Sequence, residues 1–197
     1  MIKGIILDWG GVLCEDPSRG FIEYCAQQFS IEPEILGPAV ALHLPAFMMG
    51  LPEMQFWGLV CAQVSISKPT QELWGRAIEA VYRPLEITLA TARELRAQGM
   101  QIGLLSNTEP PSKLFHLRQG YEFFSARVFS CDENIAKPNP AIYLLAAERI
   151  GLPASECLMV DDRAENIAGA ERAGMQTYLF TSPEAFRKDL RSKGLLR

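Results

Sequence analysis

Residues 5–13 read Ile5-Ile6-Leu7-Asp8-Trp9-Gly10-Gly11-Val12-Leu13. Three branched apolar residues in a row predict a short, fully buried strand. An aspartate stands where that strand ends, and two glycines behind it allow a sharp turn. In an open parallel sheet, ligands collect at the carboxyl ends of the strands. A carboxylate placed there can act as a nucleophile or a metal ligand. Alone, an Asp after a strand is an ordinary cap or turn residue. Its weight comes from the same pattern recurring further along the chain.

Residues 101–105 form a second strand-like run, which delivers Ser106-Asn107-Thr108 at its end. A third covers 126–129, with Lys137-Pro138 shortly after it, and a fourth covers 157–160 and ends in Asp161-Asp162. A fifth is expected over 176–180. Amphipathic helices are expected over 85–98, 138–150, 165–173 and 183–195, the first three ended by Gly99, Gly151 and Gly174. Alternating strands and helices imply an α/β fold, a Rossmann-like doubly wound parallel sheet with right-handed crossovers. Between the first strand and Pro84 no strand-like alternation occurs. Phe21, Ile22, Tyr24, Cys25 and Phe29 recur at helical spacing after Ser18, a candidate N-cap. The helical texture continues to Tyr82, broken by Pro33, Pro38, Pro45, Pro52 and Pro69, with helices expected after Pro52 and over 70–82. The expected organisation is a core domain of residues 1–15 and 84–197 and a helical cap domain of residues 16–83. Hinges near 14–18 and 82–84 would let the cap close and exclude water.

The chain has 197 residues, 48% of them hydrophobic and 21% charged, with a net charge of −4. That is the composition of a globular protein. Mild acidity argues against nucleic-acid binding, which calls for a basic face. No apolar run approaches a membrane span, and Asp8 interrupts the N-terminal run too early for a signal peptide. The five cysteines are scattered, with no C-x-x-C pair. They read as reduced residues of a cytoplasmic protein. A monomer or weak homodimer is expected.

Doubly wound topology would gather Asp8, Ser106, Lys137 and the Asp161-Asp162 pair into one crevice. Three carboxylates there would repel one another unless a cation shared them. Hard oxygen donors with few histidines suggest Mg²⁺. A lysine and a serine hydroxyl beside that cation suit a dianion, most naturally a phosphoryl group. Asp8 could then attack phosphorus and form an aspartyl-phosphate that water hydrolyses.

These residues give the chain its resemblance to the haloacid dehalogenase superfamily of hydrolases, over its whole length. Leu7-Asp8-Trp9-Gly10-Gly11-Val12-Leu13 resembles the first family motif, which implies Asp8 as nucleophile. Leu104-Leu105-Ser106-Asn107-Thr108 resembles the second, whose serine binds phosphate, with Asn107 and Thr108 as further donors. Lys137-Pro138-Asn139-Pro140-Ala141-Ile142-Tyr143 resembles the third, whose lysine steadies nucleophile and phosphate. Val160-Asp161-Asp162-Arg163-Ala164-Glu165-Asn166-Ile167 resembles the acidic metal motif. By that resemblance Asp8, the Gly10 carbonyl and Asp162 hold Mg²⁺, while Asp161 binds through water or orients Lys137. The helical insert lies where members with an all-α cap carry theirs.

One position departs from the pattern. Family phosphatases usually have a second aspartate two residues after the nucleophile, serving as general acid and base. Here that residue is Gly10. Losing such a group typically costs about 10²- to 10⁴-fold. Three readings follow. The first is a Mg²⁺-dependent phosphatase of small phosphorylated metabolites, sugar phosphates among the candidates, in which water, a cap residue or the substrate supplies the proton. The second is a hydrolase whose leaving group needs no proton, of phosphonate or halide type. The acidic pair argues against the halide branch, and Lys68 is the one lysine available to a cap Schiff base. The third is a catalytically impaired binding protein. Trp9 is expected beside the crevice, as a substrate contact or as core. Trp57 and Trp74 read as cap core, the run Phe47-Met48-Met49 as a candidate lining of the substrate side, and Arg163 and Asn166 either as supports behind the site or, more simply, as helix-face residues. His43 and His116 are either ordinary histidines or stand-ins for the missing acid.

Overall fold

The computed structural model describes residues 1–196. Five parallel strands form one sheet in the order β3-β2-β1-β4-β5: β1 Gly4–Leu7, β2 Gln101–Ser106, β3 Ala126–Phe129, β4 Cys157–Asp161 and β5 Gln176–Leu179. The central strand β1 pairs with β2 on one side (Leu7 beside Leu104) and with β4 on the other (Leu7 beside Val160). Chain order reverses beside β1, so the crevice expected of a doubly wound sheet opens where Asp8 and Asp161 emerge.

The apolar run of β1 is buried because both of its faces are covered. Ile5 and Leu7 pack with Ile102, Leu104, Leu158 and Val160 on one face, while Ile6 packs with Leu105, Val128 and Met159 on the other. This period-two alternation is that of a strand covered on both sides.

The helices in chain order are α1 Ser18–Phe29, α2 Pro33–Met48, α3 Glu53–Gln63, α4 Trp74–Val81, α5 Glu86–Ala97, α6 Pro110–Arg118, α7 Ser130–Glu133, α8 Pro140–Arg149, α9 Ala164–Arg172 and α10 Pro183–Ser192. Leu89, Ala92 and Leu95 of α5, with Phe186 and Leu190 of α10, cover the first face of the sheet. Ile142, Tyr143, Ala146 and Ala147 of α8, with Ala170 of α9, cover the second.

Helices α1–α4 bury their apolar residues against one another, in a cluster that includes Phe21, Cys25, Leu36, Phe47, Trp57 and Trp74. The chain enters and leaves this segment along one narrow neck. Leu13, Glu15, Arg83 and Leu85 exchange backbone hydrogen bonds there, Glu15 N–H to the Arg83 carbonyl and Leu85 N–H to the Leu13 carbonyl, each at 2.9 Å.

Several sequence expectations shift in detail. Ser18 is the first helical residue rather than the N-cap, and its N–H and hydroxyl both donate to Asp16 Oδ1. Pro38 and Pro45 do not break the chain: α2 runs through both. Both prolines are exposed, so the carbonyls that lose an N–H partner lie on the solvent side. Pro52 is the N-cap residue of α3, one place before its first turn. The helix expected over 70–82 starts only at Trp74.

A long-range cap sets that start. Oε1 of the buried Glu53 accepts from the N–H groups of Leu73 and Trp74, at 2.6 and 2.7 Å, and from Trp57 Nε1 at 3.1 Å. Glu53→Ala strands these three donors in an apolar interior. It is expected to cost about 3 kcal/mol, or more, at roughly 1 kcal/mol per orphaned group. For a chain of this size that is a fall in Tm of roughly 6–12 °C, readable by circular dichroism.

Helix α6, absent from the sequence expectations, begins at two consecutive prolines that suit a first turn. Helix α10 ends at Ser192 rather than 195.

Candidate active site

Asp8, Ser106, Lys137, Asp161 and Asp162 arrive at one end of the sheet. The Asp8 N–H donates to the Val160 carbonyl, which continues the β1–β4 ladder to the last residue before the turn. Asp8 Oδ1 accepts from its neighbour's N–H, that of Trp9, at 2.7 Å, and lies 2.7 Å from Lys137 Nζ. Oδ2 has no partner among the described residues, and Asp8 lines a cavity of about 370 Å³. Burial raises the Asp8 carboxyl, Lys137 opposes that rise and Asp161 adds to it, leaving Asp8 at about 6.

Lys137 is held from both ends. Its ammonium sits between Asp8 and Asp161, 2.7 Å from each. Its backbone is clamped by Asn107, whose Nδ2 donates to the Lys137 carbonyl at 2.9 Å and whose Oδ1 accepts the Lys137 N–H at 2.8 Å. Burial opposes the lysine's charge, but the two carboxylates outweigh it and hold Lys137 above its ordinary value. Asn107, expected as a phosphate donor, thus spends its side chain on the lysine loop.

The acidic pair divides its work. Asp161 is fully buried, and both its oxygens are occupied: Oδ1 accepts from the Arg163 N–H and Asn166 Nδ2, and Oδ2 from Lys137 Nζ and Asn166 Nδ2. Asp162 is the most exposed of the three aspartates. One oxygen from each of Asp8, Asp161 and Asp162 lies within 4.8 Å of the others. Asp162 also presses on the turn: a Cβ at Gly11 would lie 2.3 Å from its Oδ2, and Gly11 adopts φ +79°. Both facts require glycine there.

Asn166 and Glu109 matter more than the sequence reading allowed, and His116 does not fit the acid role offered there. Asn166, read as a support behind the site or, more simply, a helix-face residue, is buried and bridges both oxygens of Asp161, and its carbonyl accepts from Tyr143 Oη. His116 is buried edge-on against Trp9, with ring centroids 3.7 Å apart, and burial lowers it to about 3. It is neutral at pH 7 and holds no proton to give as an imidazolium. Glu109 is a buried carboxyl lining the same cavity, its Oε2 accepting from Ser112 Oγ at 2.9 Å. Burial pushes it up to about 7. The available signal was a carboxylate three residues beyond Ser106, just before a proline-initiated helix.

Trp9 lines the cavity and stacks on Tyr82. Trp74 lines it too, while Trp57 is buried among α1–α4. His43 and Lys68 do not line it, and among the described residues Lys137 is the one lysine that does.

A pH-dependent stability effect follows at Glu109. Its folded value lies above its unfolded one, so its stability contribution is highest at low pH and is lost as pH rises through about 7. Glu109→Gln keeps an acceptor for Ser112 and removes that loss. The variant is expected to exceed the wild type by about 3 kcal/mol at pH 8, an advantage that vanishes below about pH 4.5. Urea unfolding across that range measures it.

Comparison with known proteins agrees with this arrangement. The haloacid dehalogenase-like hydrolase family matches residues 2–174. The chain is 28% identical to acyl-CoA dehydrogenase family member 10 of Mus musculus over 95% of its own length, but spans only 19% of that relative. It is 27% identical to the putative phosphatase YhcW of Bacillus subtilis, over 89% of this chain and 82% of the relative. A HAD family enzyme of Bacteroides thetaiotaomicron, solved as a magnesium complex, shares the fold with TM-score 0.75 and 20% identity, over 96% of this chain and 98% of that one. With its motifs gathered at one sheet end and a family match over most of its length, the chain belongs to the haloacid dehalogenase-like hydrolases.

Proposed function

We propose that the protein is a Mg²⁺-dependent phosphatase of small phosphorylated metabolites that works through an aspartyl-phosphate on Asp8. The observation that carries this reading is the state of Asp8. One oxygen is pinned by Lys137 and the Trp9 N–H, and the other is left toward a cavity that Ser106 and Asp162 also line. Family membership and the name of the Bacillus relative support it.

The donor set fits Mg²⁺. All three candidate side chains are carboxylates, the hard oxygen donors that Mg²⁺ takes, and one oxygen from each lies within 4.8 Å of the others. Asp8 and Asp162, with the Gly10 carbonyl, would hold the ion directly. Asp161, whose oxygens are all engaged, orients Lys137 instead. The ion supplies Lewis-acid stabilisation of negative charge on the phosphoryl oxygens.

The chain's own residues then carry the chemistry. Ser106 and Lys137 bind the phosphoryl oxygens, joined by the Asn107 N–H, while the neighbouring Thr108 N–H is already donated to Ser130 Oγ. The free Asp8 oxygen attacks phosphorus; the P–O ester bond breaks and its electron pair leaves with the alcohol oxygen, which takes a proton from water. A second water attacks the aspartyl-phosphate, returning Asp8 as a carboxylate and releasing inorganic phosphate. In this reading residues 1–15 and 84–197 form the catalytic core and residues 16–83 a cap that closes over it. Five cysteines without a disulfide agree with a cytoplasmic setting.

The test is phosphate release from a panel of phosphate monoesters, with and without Mg²⁺. Metal-dependent release that disappears in Asp8→Asn is expected. Full activity in Asp8→Asn, or release indifferent to chelation, would refute the proposal.

A further inference from the structure

The cavity over Asp8 has two unlike halves. Its floor is polar: Asp8, Ser106, Asn107, Lys137 and Asp162. Its roof comes from α1, α2 and α4 and is formed by Phe21, Ile22, Val40, Leu44, Trp74 and Ile78. On α2 the lining positions Gly37, Ala41, Leu44 and Met48 fall on one helical face, all apolar. The small residues Gly37 and Ala41 leave room along that face.

The roof offers almost nothing to a hydroxyl group. Trp74 Nε1 donates away to Ser112 Oγ at 2.9 Å, and the Tyr82 hydroxyl is engaged with that of Tyr121. Apart from the first-turn N–H groups of α1 and the Glu34 and Ala41 carbonyls that Pro38 and Pro45 leave without a donor, backbone groups in the roof helices are satisfied within those helices. A polyol placed against these side chains would give up its water partners and gain none from them, the polar Glu109, Ser112 and His116 lining the cavity from α6 and the residue before it. The charged lining points the same way. Among the described residues, Lys137 and Arg163 are the only cationic side chains lining the cavity, against Asp8, Asp16, Glu109 and Asp162. Lys137 is already shared by two carboxylates. A second phosphate or a carboxylate on the leaving group would meet no counter-charge under the roof.

We propose that the substrate is a phosphate monoester of an apolar alcohol, with its phosphoryl group on the polar floor and its hydrocarbon body against the α1–α2–α4 roof. This rests on the phosphatase reading and narrows it away from sugar phosphates. Size agrees: about 370 Å³ suits a small ligand.

The test is kcat/KM for ethyl, butyl and hexyl phosphate beside glucose 6-phosphate, glycerol 3-phosphate and p-nitrophenyl phosphate, in Mg²⁺. Hydrophobic burial predicts a rise of roughly two- to fourfold per added methylene, expressed mainly in KM. Hexyl phosphate should exceed ethyl phosphate by about 100-fold, four methylenes compounding, and should also exceed glucose 6-phosphate. In Ile22→Ser and Ile78→Ser the chain-length slope should flatten. Equal or better turnover of the sugar phosphate, or a flat chain-length series in the wild type, would overturn the substrate class while leaving the phosphatase intact. Silence on every ester, p-nitrophenyl phosphate included, would remove both proposals.

Discussion

Replacing Lys137 with methionine is expected to remove about 3–5 kcal/mol of folding stability and to abolish turnover. The ammonium is buried between Asp8 and Asp161, 2.7 Å from each. Without it, two desolvated carboxylates face each other with no cation. Asp161 keeps Asn166 and the Arg163 N–H, but these neutral donors do not cancel its charge. Asp8 keeps only the Trp9 N–H.

Two further readouts separate this cause from simple loss of packing. The deficit in urea unfolding should shrink at low pH, because Asp8, already at about 6 in the wild type, rises further and takes up a proton in the native state. Mg²⁺ should also restore part of the lost stability, since an ion that binds only the native state stabilises it by mass action. A deficit independent of both pH and Mg²⁺ would mean that methionine fails for reasons of shape.

Gly10→Asp is expected to raise turnover of unactivated esters by about 10²- to 10⁴-fold, the usual contribution of a positioned acid and base. The site can take the side chain: a Cβ at Gly10 would make an ordinary contact, 3.5 Å from Pro17 Cδ. Gly11 next door could not, because Asp162 fills that space. The gain should be confined to poor leaving groups. An aryl phosphate, whose leaving oxygen needs no proton, should change little. Measuring kcat on hexyl and p-nitrophenyl phosphate separates the two. Equal effects on both would mean that the new carboxylate acts on the metal or the fold and not on the leaving group.

Much of this architecture is legible in the residues. The strand ends at Asp8, Ser106 and Asp161 could be read because parallel strands buried on both faces appear as short apolar runs, and the polar residue that ends each run stands out. Lys137 lies further from its strand, and its place became clear through the motif around it. What stayed hidden depends on contacts between distant segments. Glu53 looks like any first-turn acid of α3, yet it decides where α4 begins, 21 residues later. Asn166 looks like a helix-face residue, and only the approach of α9 to β4 shows it bridging Asp161. Asn107 offers an amide as suited to phosphate as to backbone, and the Lys137 loop claims it. The helical texture of residues 16–83 was plain, and the run Phe47-Met48-Met49 marked an apolar lining, but only Met48 of the three lines the cavity, because a buried and a ligand-facing apolar residue look alike in sequence.

The most direct measurement is rapid quenching of the enzyme during turnover of a phosphate monoester in Mg²⁺, followed by borohydride reduction and peptide mass spectrometry. Reduction of an aspartyl-phosphate converts that residue to homoserine. Homoserine at position 8, appearing within the first turnover and missing from Asp8→Asn, is the predicted result. Steady turnover with no modification at residue 8 at any quench time, or modification of a different residue, would contradict Asp8 as the nucleophile.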